Sequence, residues 1–155
     1  MNGSTGVRSD IVLVGGGHAH VHVLLAFALR PEPGVRVSLV TRDVTTPYSG
    51  MLPGVVAGLY TRAQAHIDLV RLAAVTGTRL IHAEAVGLDR AAKRVLLRDR
   101  PPVPYDLVSL DVGITPDLAP IRGAAEHGIA VKPIGDFLPK FEHLRQRWLI
   151  GLLGG

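Results

Sequence analysis

The sequence contains no cysteine, which excludes disulfide bonds, thiolate metal sites and a redox-active dithiol within these 155 residues. Aromatic residues make up only 5% of the chain and its basic residues are scattered, so it lacks the basic, aromatic face of nucleic-acid-binding proteins. No uncharged apolar run approaches the ~18 residues of a membrane span, and the first ten residues lack a secretory pattern. We therefore expect a soluble, cytoplasmic protein with no nucleic-acid partner and no membrane span.

The composition is that of a globular domain, with 47% hydrophobic and 19% charged residues. A single domain of this length buries about 68–70% of the surface that its unfolded chain exposes. The chain is therefore long enough to form a hydrophobic core, and it contains no internal repeat and no low-complexity segment.

The segment 10–41 has the pattern of a β-α-β unit. Asp10–Val14, "DIVLV", is a run of branched apolar residues that ends at three glycines, as is typical of a parallel strand buried on both faces. From His18 onwards the apolar residues recur at helical spacing until "RPEPG" ends the helix. Val35–Thr41 then predicts a second strand, which completes the unit.

The remaining chain predicts short helical pieces in Pro47–Tyr60, a helix over Ala65–Gly77 and three strand-rich segments after it. These are "RLIHAEAVGLD", "KRVLLRD" and, after a break at "PPVP", "YDLVSLDVG". A helix is predicted over Phe137–Trp148, followed by "LIGLLGG". The whole pattern predicts an α/β fold, in which a parallel sheet with helices carries a small strand-rich insert.

The glycines between the first strand and the first helix predict a phosphate-binding loop. In such a loop, Gly15 permits the tight turn and Gly17 lets the backbone approach a pyrophosphate at the positive end of the helix dipole. His20 occupies the position of the usual third glycine, whose role is close helix packing. This departure predicts either a slightly displaced helix or an imidazole close to the cofactor.

Three histidines follow these glycines at every second position, which raises the alternative of a metal site. On a helix His18 and His22 share a face, whereas His20 lies ~160° away from them. A site of three histidines is therefore not expected, and a pair at i and i+4 would need a further ligand from elsewhere. We expect no metal site and hydrogen-bonded or solvated imidazoles.

The end of the second predicted strand lacks the acidic residue that usually binds the ribose hydroxyls of a dinucleotide. Thr41 stands there, followed by Arg42 and Asp43. A threonine cannot hold both hydroxyls of a ribose as a carboxylate does, whereas Arg42 could face a 2′-phosphate. A single-domain NADP-binding protein therefore stays open as an alternative, as does a nucleotide-binding fragment without catalysis.

Several segments together resemble the flavin-binding N-terminal part of the pyridine nucleotide-disulfide oxidoreductase family. They include "DIVLVGGGHAHVHVL", "VSLVTRDVTTPYSGMLPGVVAGLY", "AHIDLVRLA" and "YDLVSLDVGITPDL", and the resemblance runs from about Asp10 to Phe137. Within the family, the chain is most similar to the NADH dehydrogenase-like module that is associated with bacterial selenide, water dikinase. The resemblance implies an FAD-binding Rossmann-like domain, with NAD(P)H as co-substrate of the full-length family.

The resemblance also implies which residues bind the cofactor. Three glycines and the start of the helix would hold the pyrophosphate, the end of the second strand the ribose, the "SGMLP" segment the flavin, and a strand of the insert the adenine. "LDVGITP" stands in for the family's Ala-Thr-Gly-x-x-Pro segment, with Asp111-Val112 replacing Ala-Thr and weakening the match. The implied cofactor-binding residues are Gly15, Gly16, Gly17, His18, Ala19, Thr41, Arg42, Ser49, Met51, Leu52, Pro53, Ala85, Val86 and Gly113.

Members of this family also have a second nucleotide-binding domain, for NAD(P)H. We therefore expect an incomplete protein, with a flexible N-terminus (1–9), an FAD-binding domain (10–136), and a linker helix with the first strand of a truncated second domain (137–155). No side chain is assigned a catalytic role. The expected partners are the dinucleotide, an unidentified electron acceptor with a quinone as one candidate, and a fused or separate selenide, water dikinase. Little or no activity is expected of these residues alone.

Overall fold

A computed structural model describes residues 6–115 and 117–153, with side chains described as far as Trp148. The chain divides into two compact units, Met1–Val112 and Gly113–Gly155. The strands are β1 (Ser9–Val14), β2 (Val35–Thr41), β3 (Thr45–Pro47), β4 (His66–Asp68), β5 (Arg79–His82), β6 (Ala85–Asp89), β7 (Arg94–Leu97), β8 (Arg100–Pro104) and β9 (Leu107–Leu110). The helices are α1 (His18–Leu29), α2 (Leu52–Val56), α3 (Leu69–Thr76), α4 (Ala124–His127) and α5 (Ile134–Leu153), with a 3₁₀ turn at Ser49–Met51.

The first unit is built on a parallel four-stranded sheet in the order β5-β2-β1-β9. In its register Val12 lies opposite Ser38 of β2 and Val108 of β9. The chain moves from β1 through β2 to β5 in one direction, and then returns to place β9 on the other side of β1. The strand order therefore reverses at β1, which is where open α/β sheets bind their ligands.

Side chains alternate from one face of the sheet to the other along each strand, and both faces pack against other elements. On one face Leu13 and Leu39 pack with Leu24 of α1 and Leu69 of α3. On the other face the packed side chains come from β1, β2, β5 and the strand-rich insert, namely Val12, Val14, Val40, Ile81, Ala83, Val95, Leu97 and Val103. The uninterrupted apolar run at β1 is explained by this burial on both sides.

The insert is an antiparallel sheet in the order β6-β7-β8, and it differs from the prediction at "PPVP". The sequence places this segment between two predicted strands, whereas its residues belong to β8, in which Val103 pairs with Val95 and Pro104 with Arg94. Proline cannot donate a backbone hydrogen bond, and an edge strand such as β8 tolerates this loss. The prediction was wrong because it did not place this strand at the edge.

The helix predicted from Ala65 begins later, at Leu69. Residues His66–Asp68 form β4 and pair with β3, so this segment is a short antiparallel ribbon before the helix. The Asp68 side chain caps α3 by accepting a hydrogen bond from the Arg71 amide at 3.0 Å. At the other end Gly77 adopts a φ of 66°, and the helix ends there as predicted.

The second unit contains α4 and α5. Helix α5 includes the predicted Phe137–Trp148 and continues to Leu153, so the strand expected at "LIGLLGG" is not formed by its described residues. A helix satisfies its backbone hydrogen bonds internally, whereas a strand needs a neighbour. The final two glycines lie outside the described residues, as do residues 1–5 of the expected flexible N-terminus, whereas Ser9 already belongs to β1. The predicted boundary after residue 136, between the FAD-binding domain and the linker helix, stays a prediction.

None of the helices within the described residues is long and apolar enough to cross a membrane.

Candidate functional site: a glycine loop at the carboxyl edge of the sheet

The glycine loop follows β1 at the carboxyl edge of the parallel sheet. Its first amide, Gly15 N, donates to Val40 O of β2 at 2.8 Å, and on the other side Asp111 N donates to Val14 O at 2.8 Å. The loop is therefore held between the ends of β2 and β9. Helix α1 begins directly after it, so the amides of its first turn lie at this edge without intrahelical partners.

The three glycines of the loop differ in what a side chain would meet at each position. Gly15 has a φ of 96°, and a side chain there would overlap the backbone of Asp111. At Gly16 a side chain would overlap Leu69 of the core. Gly17 has an ordinary extended conformation, with φ −68° and ψ 170°, and the atoms nearest to a side chain there would be those of the Asp111 carboxyl group. Gly17 therefore faces a side-chain end and not backbone or core, and we call this side of the loop its open side.

Asp111 places a negative charge at the start of α1. Its Oδ2 accepts a hydrogen bond from the His20 amide at 3.2 Å. Helix α1 has no side-chain cap from its own N-cap residue, Gly17, and no acidic residue in its first turn. Asp111 thus acts as an N-cap from β9, and its carboxylate interacts favourably with the positive end of the helix dipole.

His20 points into the sheet and is 2% exposed. Its Nδ1 lies 2.7 Å from Gly15 O, and its Nε2 lies 2.9 Å from Ser109 Oγ. A carbonyl only accepts, so Nδ1 carries a hydrogen and donates to Gly15 O, while Nε2 forms the second hydrogen bond with Ser109 Oγ. The residue at the usual glycine position therefore connects α1 to the loop and to β9 by two hydrogen bonds, and it does not face the open side of the loop.

His18 contacts Tyr48, the residue directly before the segment that was predicted to line the flavin. Its ring lies 4.9 Å from the Tyr48 ring, centroid to centroid, and its buried Nε2 has no hydrogen-bond partner among the described residues. Tyr48 directly precedes the 3₁₀ turn and α2, which contain Ser49, Met51, Leu52 and Pro53. The structure therefore brings this predicted segment close to the start of α1.

Thr41 and Arg42 lie at the end of β2, where the ribose was expected. Thr41 is 5% exposed, and its hydroxyl donates to the Asp43 carbonyl oxygen at 2.9 Å. The Arg42 guanidinium is exposed and pairs with the Asp43 carboxylate at 3.1 Å. The backbone carbonyl of Arg42 accepts a hydrogen bond from His82 Nε2 at 2.9 Å, which connects the ends of β2 and β5. The assignment of this pair to the ribose stays a prediction.

The residues predicted to contact adenine lie at the start of β6, three residues beyond the end of β5. Ala85 is half-buried and Val86 is exposed. Beside them, Glu84 pairs with Arg98 at 2.9 Å, and this hydrogen bond and the positive charge of Arg98 lower the pKa of Glu84. The adenine assignment stays a prediction.

In the second unit, Gly113 has a φ of 76° and open space around its Cα.

The three histidines after the glycines do not converge. His20 is buried and hydrogen-bonded, His22 is exposed, and the His18 ring contacts the Tyr48 ring. Among residues 6–115 and 117–153, no group of three or more His, Asp or Glu side chains is placed to hold a metal ion.

Sequence reasoning missed the two side chains that shape the loop, Asp111 and Ser109. In the sequence, Asp111 is marked only as a departure from a family segment, and nothing marks Ser109 as a site residue. Both act on residues about ninety positions earlier in the chain, a separation at which local patterns carry no information. The available signal was a helix that begins with glycine and no acidic residue, together with an acidic residue at the end of a parallel strand.

No family model and no curated protein sequence matches the chain. Solved structures do. A sulfide:quinone oxidoreductase from Aquifex aeolicus is similar with a TM-score of 0.74 and 17% identity over 92% of this chain. A ferredoxin reductase from Rhodopseudomonas palustris gives 0.66 and 21% over 90%, and a water-forming NADH oxidase from Lactobacillus brevis, bound to NADH, gives 0.54 and 16% over 74%.

These similarities confirm the predicted fold class, an α/β Rossmann-like domain with a parallel sheet and helices. The chain spans about a third of the length of these proteins, covering 33%, 34% and 28% of them respectively. All three similar proteins are redox enzymes by name. Because the sequence identities are below 25%, the similarity shows a shared fold and no shared activity.

Proposed function

We propose that this chain forms the FAD-binding portion of an NAD(P)H-dependent flavoprotein oxidoreductase that has no redox disulfide. The observation that carries the proposal is the glycine loop at the carboxyl edge of the sheet, at the point where the strand order reverses. There Gly17 directly precedes the first-turn amides of α1, one of which, His20 N, donates to the Asp111 carboxylate. This is the arrangement that binds the pyrophosphate of a dinucleotide in α/β folds.

The residues around the loop fit FAD in three respects. Gly17 has no side chain, and the atoms nearest to its Cβ position belong to the Asp111 carboxyl group, so a phosphate reaches the Gly17 backbone once that side-chain end moves aside. The first-turn amides of α1 are donors for an anion. His18 Nε2 is a buried polar atom with no partner among the described residues, beside the predicted flavin segment. The Asp111 carboxylate is a negative charge at the same amides and opposes a pyrophosphate.

In this proposal Gly15, Gly16 and Gly17, with Ala19 at the start of α1, hold the pyrophosphate. Thr41 and Arg42 lie at the ribose, Ala85 and Val86 at the adenine, and Ser49, Met51, Leu52 and Pro53 on the flavin side. The assignment of Gly113, in the second unit, stays a prediction from the resemblance. When bound, FAD supplies the redox chemistry, accepting a hydride and passing electrons on. The chain's own contribution is to orient the cofactor, with His20 fixing the loop to the sheet from behind.

The names of the similar proteins support a proposal for the class of electron acceptor. One similar protein is named for its quinone and another for ferredoxin, so a quinone or a small redox protein is the acceptor class we propose. The association with selenide, water dikinase rests on the resemblance of the sequence segments alone and stays a prediction. So does the cytoplasmic location.

NADP binding by a single domain is the second candidate, because Arg42 lies exposed at the end of β2. Its guanidinium is already paired with the Asp43 carboxylate, which would repel a 2′-phosphate placed between them. This pairing is the reason for preferring FAD.

Equilibrium binding of FAD and NADPH, measured side by side on the purified chain, tests the proposal. We expect saturable binding of FAD and weaker binding of NADPH. Tight binding of NADPH without binding of FAD would establish the second candidate, and binding of neither would leave a fragment that does not bind nucleotides.

Turnover is a separate expectation. Hydride transfer needs a second site that holds the nicotinamide within roughly 3–3.5 Å of the flavin, and such positioning accounts for about 7–11 kcal/mol of a barrier. Only one strand-glycine-helix unit of parallel strands lies within the described residues. These 155 residues, supplied with FAD and a quinone, should oxidise NADH or NADPH no faster than free FAD does. A rate well above free FAD, saturating in nicotinamide, would contradict this.

A further inference from the structure

The Asp111 side chain lies across the open side of the glycine loop. Its Oδ2 is 3.2 Å from the His20 amide, and the three atoms nearest to a side chain placed at Gly17 are all atoms of its carboxyl group. The backbone is fixed at this point, since Asp111 N donates to Val14 O at 2.8 Å. The carboxylate therefore occupies the place that the loop would offer to a phosphate.

Helix α1 depends on this carboxylate for its cap. Its N-cap residue is a glycine, and its first turn contains no acidic side chain. The orphan amides and the positive end of the helix dipole attract an anion, and a carboxylate within the chain satisfies that attraction without any ligand. A pyrophosphate bound to the same amides must displace the carboxylate or lie beside it.

We infer that Asp111 is an internal competitor for the dinucleotide pyrophosphate, and that it lowers the affinity of the loop for ligands with phosphate groups. The inference rests on the proposed function and adds to it a residue that sets ligand affinity. Two unit charges of the same sign about 4 Å apart repel each other enough to weaken binding about fivefold even in a water-like medium. Where solvent is excluded the effect is larger, because the effective dielectric constant is lower.

The variant that isolates this charge is Asp111→Asn. Asparagine keeps the size of the side chain and an oxygen that accepts from the His20 amide, so the cap is retained while the charge is removed. Asp99→Asn is the matched control, because it removes the same charge from the exposed turn between β7 and β8. Asp99 has a φ of 53°, a conformation that asparagine adopts readily, so the control should fold normally.

The test is a titration of FAD and, separately, of riboflavin, which has no phosphate, into the wild-type chain and both variants at low ionic strength. Asp111→Asn should bind FAD about fivefold more tightly than the wild type or better, whereas riboflavin binding and the Asp99→Asn control should be unchanged. The gain should shrink as salt is added, because salt screens the repulsion. Inorganic pyrophosphate should also raise the melting temperature of Asp111→Asn more than that of the wild type.

Equal or weaker FAD binding by Asp111→Asn would overturn the inference, and weaker binding would show that the carboxylate contacts the ligand favourably. The same gain with riboflavin or with Asp99→Asn would also overturn it, because the effect would then not be local to phosphate. Absence of FAD binding by both the wild type and Asp111→Asn would refute the proposed function and the inference together. Saturable and equal binding by both would refute the inference alone.

Discussion

Replacing His20 by alanine should destabilise the first unit by about 3 kcal/mol. The ring is 2% exposed and forms hydrogen bonds at 2.7 Å with Gly15 O and at 2.9 Å with Ser109 Oγ. A buried carbonyl that loses its donor costs about 1–3 kcal/mol, and the lost packing of the ring adds to this. At ~2–4 °C per kcal/mol for a domain of this size, the melting temperature should fall by roughly 6–12 °C.

The matched control is His22→Ala. His22 lies two residues further along the same helix and is exposed, so the same substitution changes helix propensity equally without removing a buried contact. Its effect should stay within about 0.5 kcal/mol. Urea unfolding followed by far-UV circular dichroism measures both variants against the wild type.

A conservative substitution gives a finer test of the same contact. In His20→Asn the side-chain amide nitrogen takes the place of Nδ1 and can donate to Gly15 O, so part of the stability should return. The account of His20 would be refuted if His20→Ala were as stable as His22→Ala within 0.5 kcal/mol. It would also be refuted if asparagine gave no recovery over alanine.

Two further predictions concern the core and an exposed ion pair. Leu24 is 0% exposed, and Leu24→Ala should reduce the free energy of unfolding by about 2–5 kcal/mol. Leu29, on the same helix, is 83% exposed, and Leu29→Ala should have little effect. Urea unfolding measures both variants. Because Arg98 lowers the pKa of Glu84, the stability contributed by this pair is present above the unfolded-state pKa and is lost as pH falls through the lowered folded-state value. The stability difference between wild type and Glu84→Gln should therefore vanish on acidification, and a constant difference down to acid pH would contradict the pairing.

The part of the fold that could be predicted from sequence is the part determined by local pattern. The unit from β1 to β2 was predicted to within one residue, because branched apolar runs, a glycine turn and a proline stop are all local signals. β4 and β8 were not predicted. β4 is a three-residue strand that forms by pairing with β3. β8 contains prolines, which are tolerated because no strand of its sheet pairs with its outer edge.

The candidate site divides in the same way. The glycine loop was visible in the sequence, because Gly15 and Gly17 have fixed positions relative to the strand and the helix. The role of Asp111 was not, since it depends on β9 returning beside β1 after the whole insert. The hydrogen-bond partners of His20 could not be predicted either, because the helical period indicates the face of α1 on which the ring lies and not the residues that it contacts.

The central claim is that the loop at Gly17 binds a dinucleotide through its backbone, and Gly17→Val is the sharpest perturbation of it. The backbone conformation at Gly17 suits any residue, and the atoms nearest to a side chain there are those of the Asp111 carboxyl group at the end of a side chain, so the variant should fold. Gly135→Val, with open space around it in the second unit, is the matched control.

The decisive measurement is the dissociation constant of FAD for the wild type and these two variants, with circular dichroism confirming that each is folded. The account predicts saturable binding by the wild type and by Gly135→Val, and binding at least about tenfold weaker in Gly17→Val, a loss of ~1.4 kcal/mol or more. Undiminished FAD affinity in a folded Gly17→Val variant would contradict it.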